Sequence, residues 1–233
     1  MSGSPVTLIT GGGSGIGAAT ARRLLAQGHR VTITGRGGER LDEFAASVGR
    51  PPELLTAPGD AADYDAVVSA VESTVGRFGR LSAVVASAGY ATFDDIATGD
   101  PAGWRDMVLT NVLGPALLIR ASLAALKETK GRIVLVGSVA GVVYSPGNIY
   151  GATKWAVTGL AENTRRLVTD DGVGVTLVNP GATVTNFFDA DGGPPDRAMM
   201  SADQIANAIV FAIDQPHGVD VNTLTIRPQP SPL

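Results

Sequence analysis

The stretch Val6-Thr-Leu-Ile-Thr10 runs directly into Gly11-Gly-Gly-Ser-Gly-Ile-Gly17, and then into Ala18-Ala-Thr-Ala-Arg-Arg-Leu-Leu-Ala-Gln27. The first five residues are β-branched and apolar, as a buried strand requires. The last ten carry apolar residues at helical spacing and stop at Gly28. The glycines between them let the backbone turn sharply and approach a ligand closely. A helix starting there offers free N–H groups and a positive dipole end to a phosphate. Gly13, Gly15 and Ala18 fit a G-x-G-x-x-A spacing, a weak match in so glycine-rich a stretch. No Gly-Lys-Ser/Thr follows, so a P-loop is not supported.

Short apolar runs and longer helical patterns alternate through the rest of the chain. Strands are expected at Val31–Thr34, Leu54–Ala57, Leu81–Ala86, Ile133–Val136, Val173–Val178 and Leu224–Ile226. Helices are expected at Arg40–Val48, Tyr64–Phe78, Trp104–Leu126, Tyr150–Val168 and Ala202–Ile213. Strand–helix alternation implies parallel strands with crossover helices, and near-pure apolar strands imply helices on both faces. The expected fold is a doubly wound α/β domain spanning 1–233: a cofactor half to about 130, a catalytic and substrate half over about 131–227, and an extended tail over 228–233.

Composition narrows the function. The 233 residues are 44% hydrophobic and 17% charged, which excludes a disordered chain. Cys is absent and only His29 and His217 are present, so no metal site is expected. The net charge of −4 argues against a nucleic-acid partner. Neither a secretory leader nor a membrane span is read, because Asn111 and Arg120 interrupt the longest apolar stretch. The simplest placement is the cytoplasm, with no membrane partner.

Dinucleotide folds often carry an acid about 20 residues beyond the glycine turn, on the ribose 2′-hydroxyl. Here the second strand ends in Thr34-Gly-Arg36, with no acid. Gly35 leaves space and Arg36 supplies a forked cation suited to a 2′-phosphate, so NADP(H) is the expected cofactor and NAD(H) the lesser alternative. Arg36 could also be a solvated surface residue.

With these residues in place, the chain resembles the short-chain dehydrogenase/reductase family. Its cofactor turn matches Thr10, Gly11, Gly15 and Gly17, and its later signatures follow in order: Asn111, Ser138, Tyr150-x-x-x-Lys154 and Pro180-Gly181. The likeness spans Val6 to about Arg227. Two features depart from it. The family's Asn-Asn-Ala-Gly stands here as Ala86-Ser87-Ala88-Gly89, so Ser87 or a water must do the local bonding. Ser138 precedes Tyr150 by 12 residues, one fewer than usual, which points to a shortened 142–148 loop. The resemblance implies a single Rossmann domain with a seven-stranded parallel sheet of order 3-2-1-4-5-6-7, and a homotetramer or homodimer. It implies catalytic roles for Asn111, Ser138, Tyr150 and Lys154. It also implies a cofactor site made by Gly11, Gly13, Ser14, Gly15, Ile16, Gly17, Arg36, Asp60, Ala61, Ala88, Gly89, Tyr150, Lys154, Pro180, Gly181, Thr183 and Thr185.

Tyr150 and Lys154 lie four apart on a helix and share a face. A phenol titrates near ~10, too high for efficient acid/base work at neutrality, and a nearby ammonium lowers it. Tyr150 is thus expected to exchange a proton with a substrate carbonyl as hydride moves, with Lys154 tuning it. By resemblance Lys154 also holds the nicotinamide ribose. Ser138 is expected to donate to the substrate oxygen. Pro115, four residues after Asn111, lacks the N–H that the Asn111 carbonyl would receive. A kink is expected there, and the family reading has Asn111 anchor a water chain to the lysine; relief of the kink alone is the alternative.

Asp60 either meets the adenine through the neighbourhood of Ala61, as the family implies, or caps the next helix. Pro180–Thr185 presents backbone and hydroxyls to the cofactor, with Thr185 at the family's carboxamide position, or forms an ordinary turn. Phe187, Phe188, Met199 and Met200 suggest a lid over the substrate, or equally plain core or an interface. Tyr90 and Tyr144 are pocket walls or packing. His29 and His217 read as surface residues and Trp104 and Trp155 as helix anchors. Asp94 and Asp189 have no assignment.

The expected activity is interconversion of a small carbonyl and an alcohol with NADP(H). A non-catalytic cofactor-binding sensor or scaffold, or a redox-neutral epimerase or dehydratase, are the rivals. The intact Ser138/Tyr150/Lys154 set speaks against the first, and the lack of a well-placed extra acid against the second.

Overall fold

The computed structural model describes residues 3–191, 193 and 195–230. The side chain of Asp189 and the tail residues 231–233 lie outside the described parts. The chain builds β1 (Val6–Thr10), α1 (Gly15–Ala26), β2 (Arg30–Gly35), α2 (Gly38–Ser47), β3 (Leu54–Pro58), α3 (Tyr64–Phe78) and β4 (Ala83–Ala86). It continues with α4 (Pro101–Val108), α5 (Gly114–Thr129), β5 (Arg132–Val136), α6 (Ile149–Val168) and β6 (Gly174–Pro180). It closes with β7 (Thr183–Val184), β8 (Met200–Ser201), α7 (Ala202–Ile213) and β9 (Thr223–Ile226). The main sheet has seven parallel strands in the order β3-β2-β1-β4-β5-β6-β9, and β7 pairs with β8 in a small parallel ladder. With β9 as the seventh strand, this is the expected topology.

Successive strand residues point to opposite faces, and both faces are apolar. Leu8, Val84, Ile133 and Leu177 pack beneath α3, α5 and α6 with Leu118, Leu126 and Val157. Their sequence neighbours Ile9, Val85, Val134 and Val178 pack on the other side with Leu24 of α1, Leu41 of α2 and Ile205 and Ile209 of α7. Each fully buried Leu or Ile contributes roughly 1.5–3 kcal/mol. Helix ends follow local chemistry. Asp63 accepts from Asp65 N and Ala66 N at the start of α3, and Gly79 ends it at φ +79°. Ser201 and Gln204 form a capping box on α7. Asn148 caps α6 by accepting from Gly151 N at 2.8 Å.

Several expectations are corrected. The single helix at Trp104–Leu126 is α4 and α5 joined by one π-turn, Leu109–Leu113, in which Gly114 N donates to Leu109 O. Pro115 has no N–H to give to the preceding turn, so the ladder shifts register there. The continuous rod, Pro101–Thr129, is long and apolar enough to cross a membrane by length and composition, contrary to the sequence reading; in this fold it covers the sheet beside α3 and α6. His29 is 7% exposed rather than a surface residue, wedged between the ends of α1 and α7 with Nε2 3.7 Å from Asp214. Met200 is buried with the core under α7, not part of a lid.

Candidate active site

The loops after β1, β2, β4, β5 and β6 all open at the carboxyl edge of the sheet, where the strand order reverses between β1 and β4. In open α/β sheets that crevice is where ligands bind. Two adjoining cavities occupy it. The first, about 400 Å³, is lined by Gly11, Gly13, Ser14, Arg36, Asp60 and Ala61, among others. The second, about 310 Å³, holds Ile16, Ser138, Tyr150, Lys154, Gly181 and Thr185 in its wall. Gly89 borders both.

The glycine turn is shaped from inside and out. Gly11 sits at φ +67°, and a Cβ there would lie 2.8 Å from Ala88 Cα. By contrast, at Gly35 φ is ordinary and a Cβ would meet nothing nearer than 3.7 Å, so the fold does not demand glycine. The missing side chain keeps the cleft open beside Arg36. No side chain caps α1, whose N-cap residue Ser14 lines the same cleft. A bare helix N-terminus, glycine walls and exposed arginines suit a phosphate-bearing dinucleotide. Arg40, which sequence reasoning passed over, lines this cleft with Arg36. The four-residue spacing of Arg36 and Arg40 at a strand–helix junction was the available signal.

Asp60 accepts from Ala62 N at 2.9 Å and lines the cleft; the cap of α3 is Asp63, so Asp60 is not that cap. Tyr90 lies in the wall of the dinucleotide-side cavity, not of the Tyr150 cavity. Tyr144 is 90% exposed and stacks on Trp155 at 5.2 Å, outside both cavities, so it is neither pocket wall nor packing under the helices. Trp155 Nε1 donates to Val143 O, which ties the 142–148 loop down. Asp94 accepts from Trp104 Nε1 and from Asp100 N; the Thr92 hydroxyl foremost, and then these two groups, hold its carboxyl below the usual carboxylate range. It braces a loop and does not line the Tyr150 cavity. The Ala86–Gly89 departure is resolved by Thr10, whose Oγ1 accepts from Ala88 N at 3.3 Å, while Ser87 lines the Tyr150 cavity.

The structure brings Ser138, Tyr150, Lys154 and Asn111 together. Ser138 Oγ accepts from Ala140 N at 3.1 Å, which leaves its own proton free to be donated into the cavity it shares with Tyr150. Lys154 Nζ donates to Val136 O at 3.0 Å and lies 5.7 Å from the Tyr150 ring centroid. Burial pushes the Tyr150 phenol up to about 12, with the Ser138 bond pulling the other way. Burial also draws the Lys154 ammonium down to about 8. In this protein alone burial is the larger influence on Tyr150, and the Lys154 ammonium is aimed at the Val136 carbonyl.

Asn111 is 1% exposed. Its Oδ1 accepts from Tyr90 N at 3.1 Å, and its Nδ2 donates to Tyr90 O at 2.9 Å and to Thr153 Oγ1 at 3.1 Å. A Cβ on Gly89 would come within 3.0 Å of that Oδ1 and 3.6 Å of Lys154 Nζ, so glycine is needed there. Two supporting residues escaped the sequence reading. Thr153 is one. Asn179 is the other: fully buried at the end of β6, its Oδ1 accepts from Ser138 N at 3.2 Å. An Asn within the apolar run Val175–Pro180 was the signal. Past β6, Gly181 N donates to Ile226 O, Thr183 Oγ1 donates to Gly181 O, and Thr185 Oγ1 accepts from Phe187 N. Thr185 also abuts Gly15, bringing this segment against the glycine turn.

Residues 5–192 match the short chain dehydrogenase family. The chain belongs to that family. An uncharacterized oxidoreductase of Staphylococcus epidermidis is 33% identical over 226 residues, 96% of each chain. Among solved structures, the alcohol dehydrogenase of the archaeon Thermococcus sibiricus, complexed with 5-hydroxy-NADP, superposes with a TM-score of 0.89 at 26% identity over 97% of each chain. A serine dehydrogenase complexed with NADP+ superposes at 0.88 with 29% identity, over 95% of this chain and 94% of the other. This short-chain dehydrogenase is therefore an oxidoreductase of its family with the family's Rossmann-type sheet.

Proposed function

We propose that the protein reduces a small carbonyl compound to an alcohol, reversibly, using NADP(H). The observation that carries this reading is the convergence of Ser138, Tyr150 and Lys154 in the wall of a cavity that adjoins the glycine-turn cleft. NADP-bound relatives with the same fold support the cofactor class. Arg36 and Arg40 on the cleft favour the 2′-phosphate over a bare ribose. The glycine turn would hold the pyrophosphate, Lys154 the nicotinamide ribose, and Thr183 and Thr185 the carboxamide end.

When bound, NADPH supplies a hydride to the carbonyl carbon and leaves as NADP+, while the carbonyl oxygen takes a proton. Tyr150 provides that proton. Burial keeps this phenol protonated at neutrality, so the proton is in place, and the positive charge that Lys154 and an oxidised nicotinamide bring would lower its value towards the working range as the proton leaves. Ser138 donates a second bond to the same oxygen and stabilises the charge that grows there. Lys154 brings a positive charge near the phenolate that forms and speeds its reprotonation. Asn111 fixes the Gly89–Tyr90 backbone beside the lysine. The test is loss of absorbance at 340 nm with NADPH and NADH in parallel across a panel of ketones and aldehydes. Stoichiometric NADPH loss is expected; a panel that consumes neither nucleotide would favour the scaffold or redox-neutral reading.

A further inference from the structure

The wall of the Tyr150 cavity opposite the sheet is aromatic. Phe93, from the loop after β4, stacks on Phe188 at 5.4 Å and meets Phe187 edge-on at 5.6 Å. Phe187 in turn lies edge-on to the Tyr150 ring at 5.5 Å, and Phe93 is 6.5 Å from it. Four rings thus form one continuous cluster reaching from the phenol outward. Phe93 remains 47% exposed although it lines the cavity, so it has an apolar surface the chain itself does not cover.

Several polar side chains of the same cavity are already engaged, while Ser87, Ser145 and Arg197 also line it. Thr183 Oγ1 is donated to Gly181 O, Thr185 Oγ1 accepts from Phe187 N, and Asn148 Oδ1 accepts from Gly151 N. Among the described residues that line it, none is Asp or Glu. A polyol would lose its hydration against the aromatic wall without recovering equivalent hydrogen bonds there, which is unfavourable for each unpaired group. The volume, about 310 Å³, is at the small end of ligand pockets and must also admit the nicotinamide. That space disfavours a steroid or an acyl thioester.

Resting on the carbonyl-reductase reading above, we propose that the substrate is a small aryl ketone or aryl aldehyde. Its ring packs on the uncovered surface of Phe93 beside the Phe187/Phe188 pair, and its carbonyl meets Tyr150 and Ser138. Aromatic pairs prefer stacked and edge-to-face contacts, which this cluster already makes within itself and can extend to one more ring.

The experiment compares acetophenone and benzaldehyde with acetone, dihydroxyacetone and glyceraldehyde in NADPH oxidation, for the native protein, Phe93→Ala, Phe93→Tyr and Phe188→Ala. In parallel, binding of 1-phenylethanol to the protein saturated with NADP+ is followed by calorimetry, which needs no turnover. The expected result is a kcat/KM for the aryl carbonyls at least about 100-fold above that for the polyol carbonyls. Phe93→Ala and Phe188→Ala should lower the aryl-to-acetone ratio about tenfold, chiefly through KM, and Phe93→Tyr should restore most of it. Polyol carbonyls reduced as efficiently as aryl ones, or an aryl-to-acetone ratio unmoved by both alanine variants, would overturn the proposal while leaving the reductase reading intact. If no carbonyl oxidises NADPH, the reductase reading fails by itself. In that case 1-phenylethanol binding that weakens about tenfold in Phe93→Ala supports the aryl site, and absence of binding overturns it.

Discussion

Asn111, in the π-turn between α4 and α5, donates from Nδ2 to Thr153 Oγ1 on α6 across 3.1 Å. Thr153 Oγ1 in turn donates to the main-chain carbonyl of Tyr150 at 2.7 Å. Two side chains therefore tie the loop after β4 to the helical turn that carries the phenol and Lys154. The anchoring seen here runs through the Asn111 side chain, whereas the sequence argument rested on its main-chain carbonyl.

Thr153→Val should break both links and leave one buried Asn111 proton without a partner. A loss of about 1–2 kcal/mol in urea-denaturation stability is expected. A roughly tenfold fall in kcat with little change in KM for NADPH should accompany it, and Thr153→Ser should recover most of both. A fall in stability without a fall in kcat would confine Thr153 to a structural role.

Arg36 and Arg40 line the same cleft. Arg36→Asp should raise KM for NADPH about 10–100-fold and leave NADH nearly unaffected, since a charge-assisted bond to phosphate contributes roughly 1.5–3 kcal/mol. Arg40→Ala should act in the same direction more weakly. Steady-state kinetics with both nucleotides checks this, and an unchanged NADPH/NADH preference in both variants would place the 2′-phosphate elsewhere.

Lys154 should make the cofactor-free protein less stable at neutral pH than it could be. Its folded value of about 8 lies below the ordinary lysine value of 10.5, so the unfolded chain binds more protons between those limits. Stability should therefore rise as pH increases from 8 towards 10.5. Lys154→Met should be more stable than the native protein at pH 7 by about 1–3 kcal/mol. That advantage should shrink by pH 10, while turnover is lost. Denaturation at the two pH values measures it, and a constant difference would show that the ammonium is not desolvated.

His29 gives a second pH signature, at the other end of the molecule. Burial lowers its value below 6.5 against the opposing pull of Asp214. The unfolded state then takes up more protons as pH falls through 6.5, so stability drops on acidification. Thermal melts from pH 7.5 to 5.0 should show a steeper fall in Tm for the native protein than for His29→Gln. Parallel curves would contradict this.

Much of the fold was legible because strand and helix signals agreed locally. The bounds of β1, α3 and α7 fall at Val6–Thr10, Tyr64–Phe78 and Ala202–Ile213, as read from the apolar spacing and flanking residues. The features that were not legible depend on tertiary packing. The π-turn needed the register change forced at Pro115 rather than a simple kink. Asn179 serves Ser138 only because β5 and β6 pair side by side. His29 and Met200 are buried by α7, far along the chain. The Tyr150 phenol rises because burial, invisible in the four-residue spacing to Lys154, is the larger influence on it.

Replacing Tyr150 by Phe removes one hydroxyl and keeps the ring in its aromatic contacts. The decisive measurement is single-turnover NADPH oxidation by Tyr150→Phe with a carbonyl the native protein reduces, alongside NADPH binding by fluorescence. The account predicts a rate lower by about 10²–10⁴-fold with cofactor affinity within a few-fold of native. A variant that oxidises NADPH at close to the native rate would contradict it.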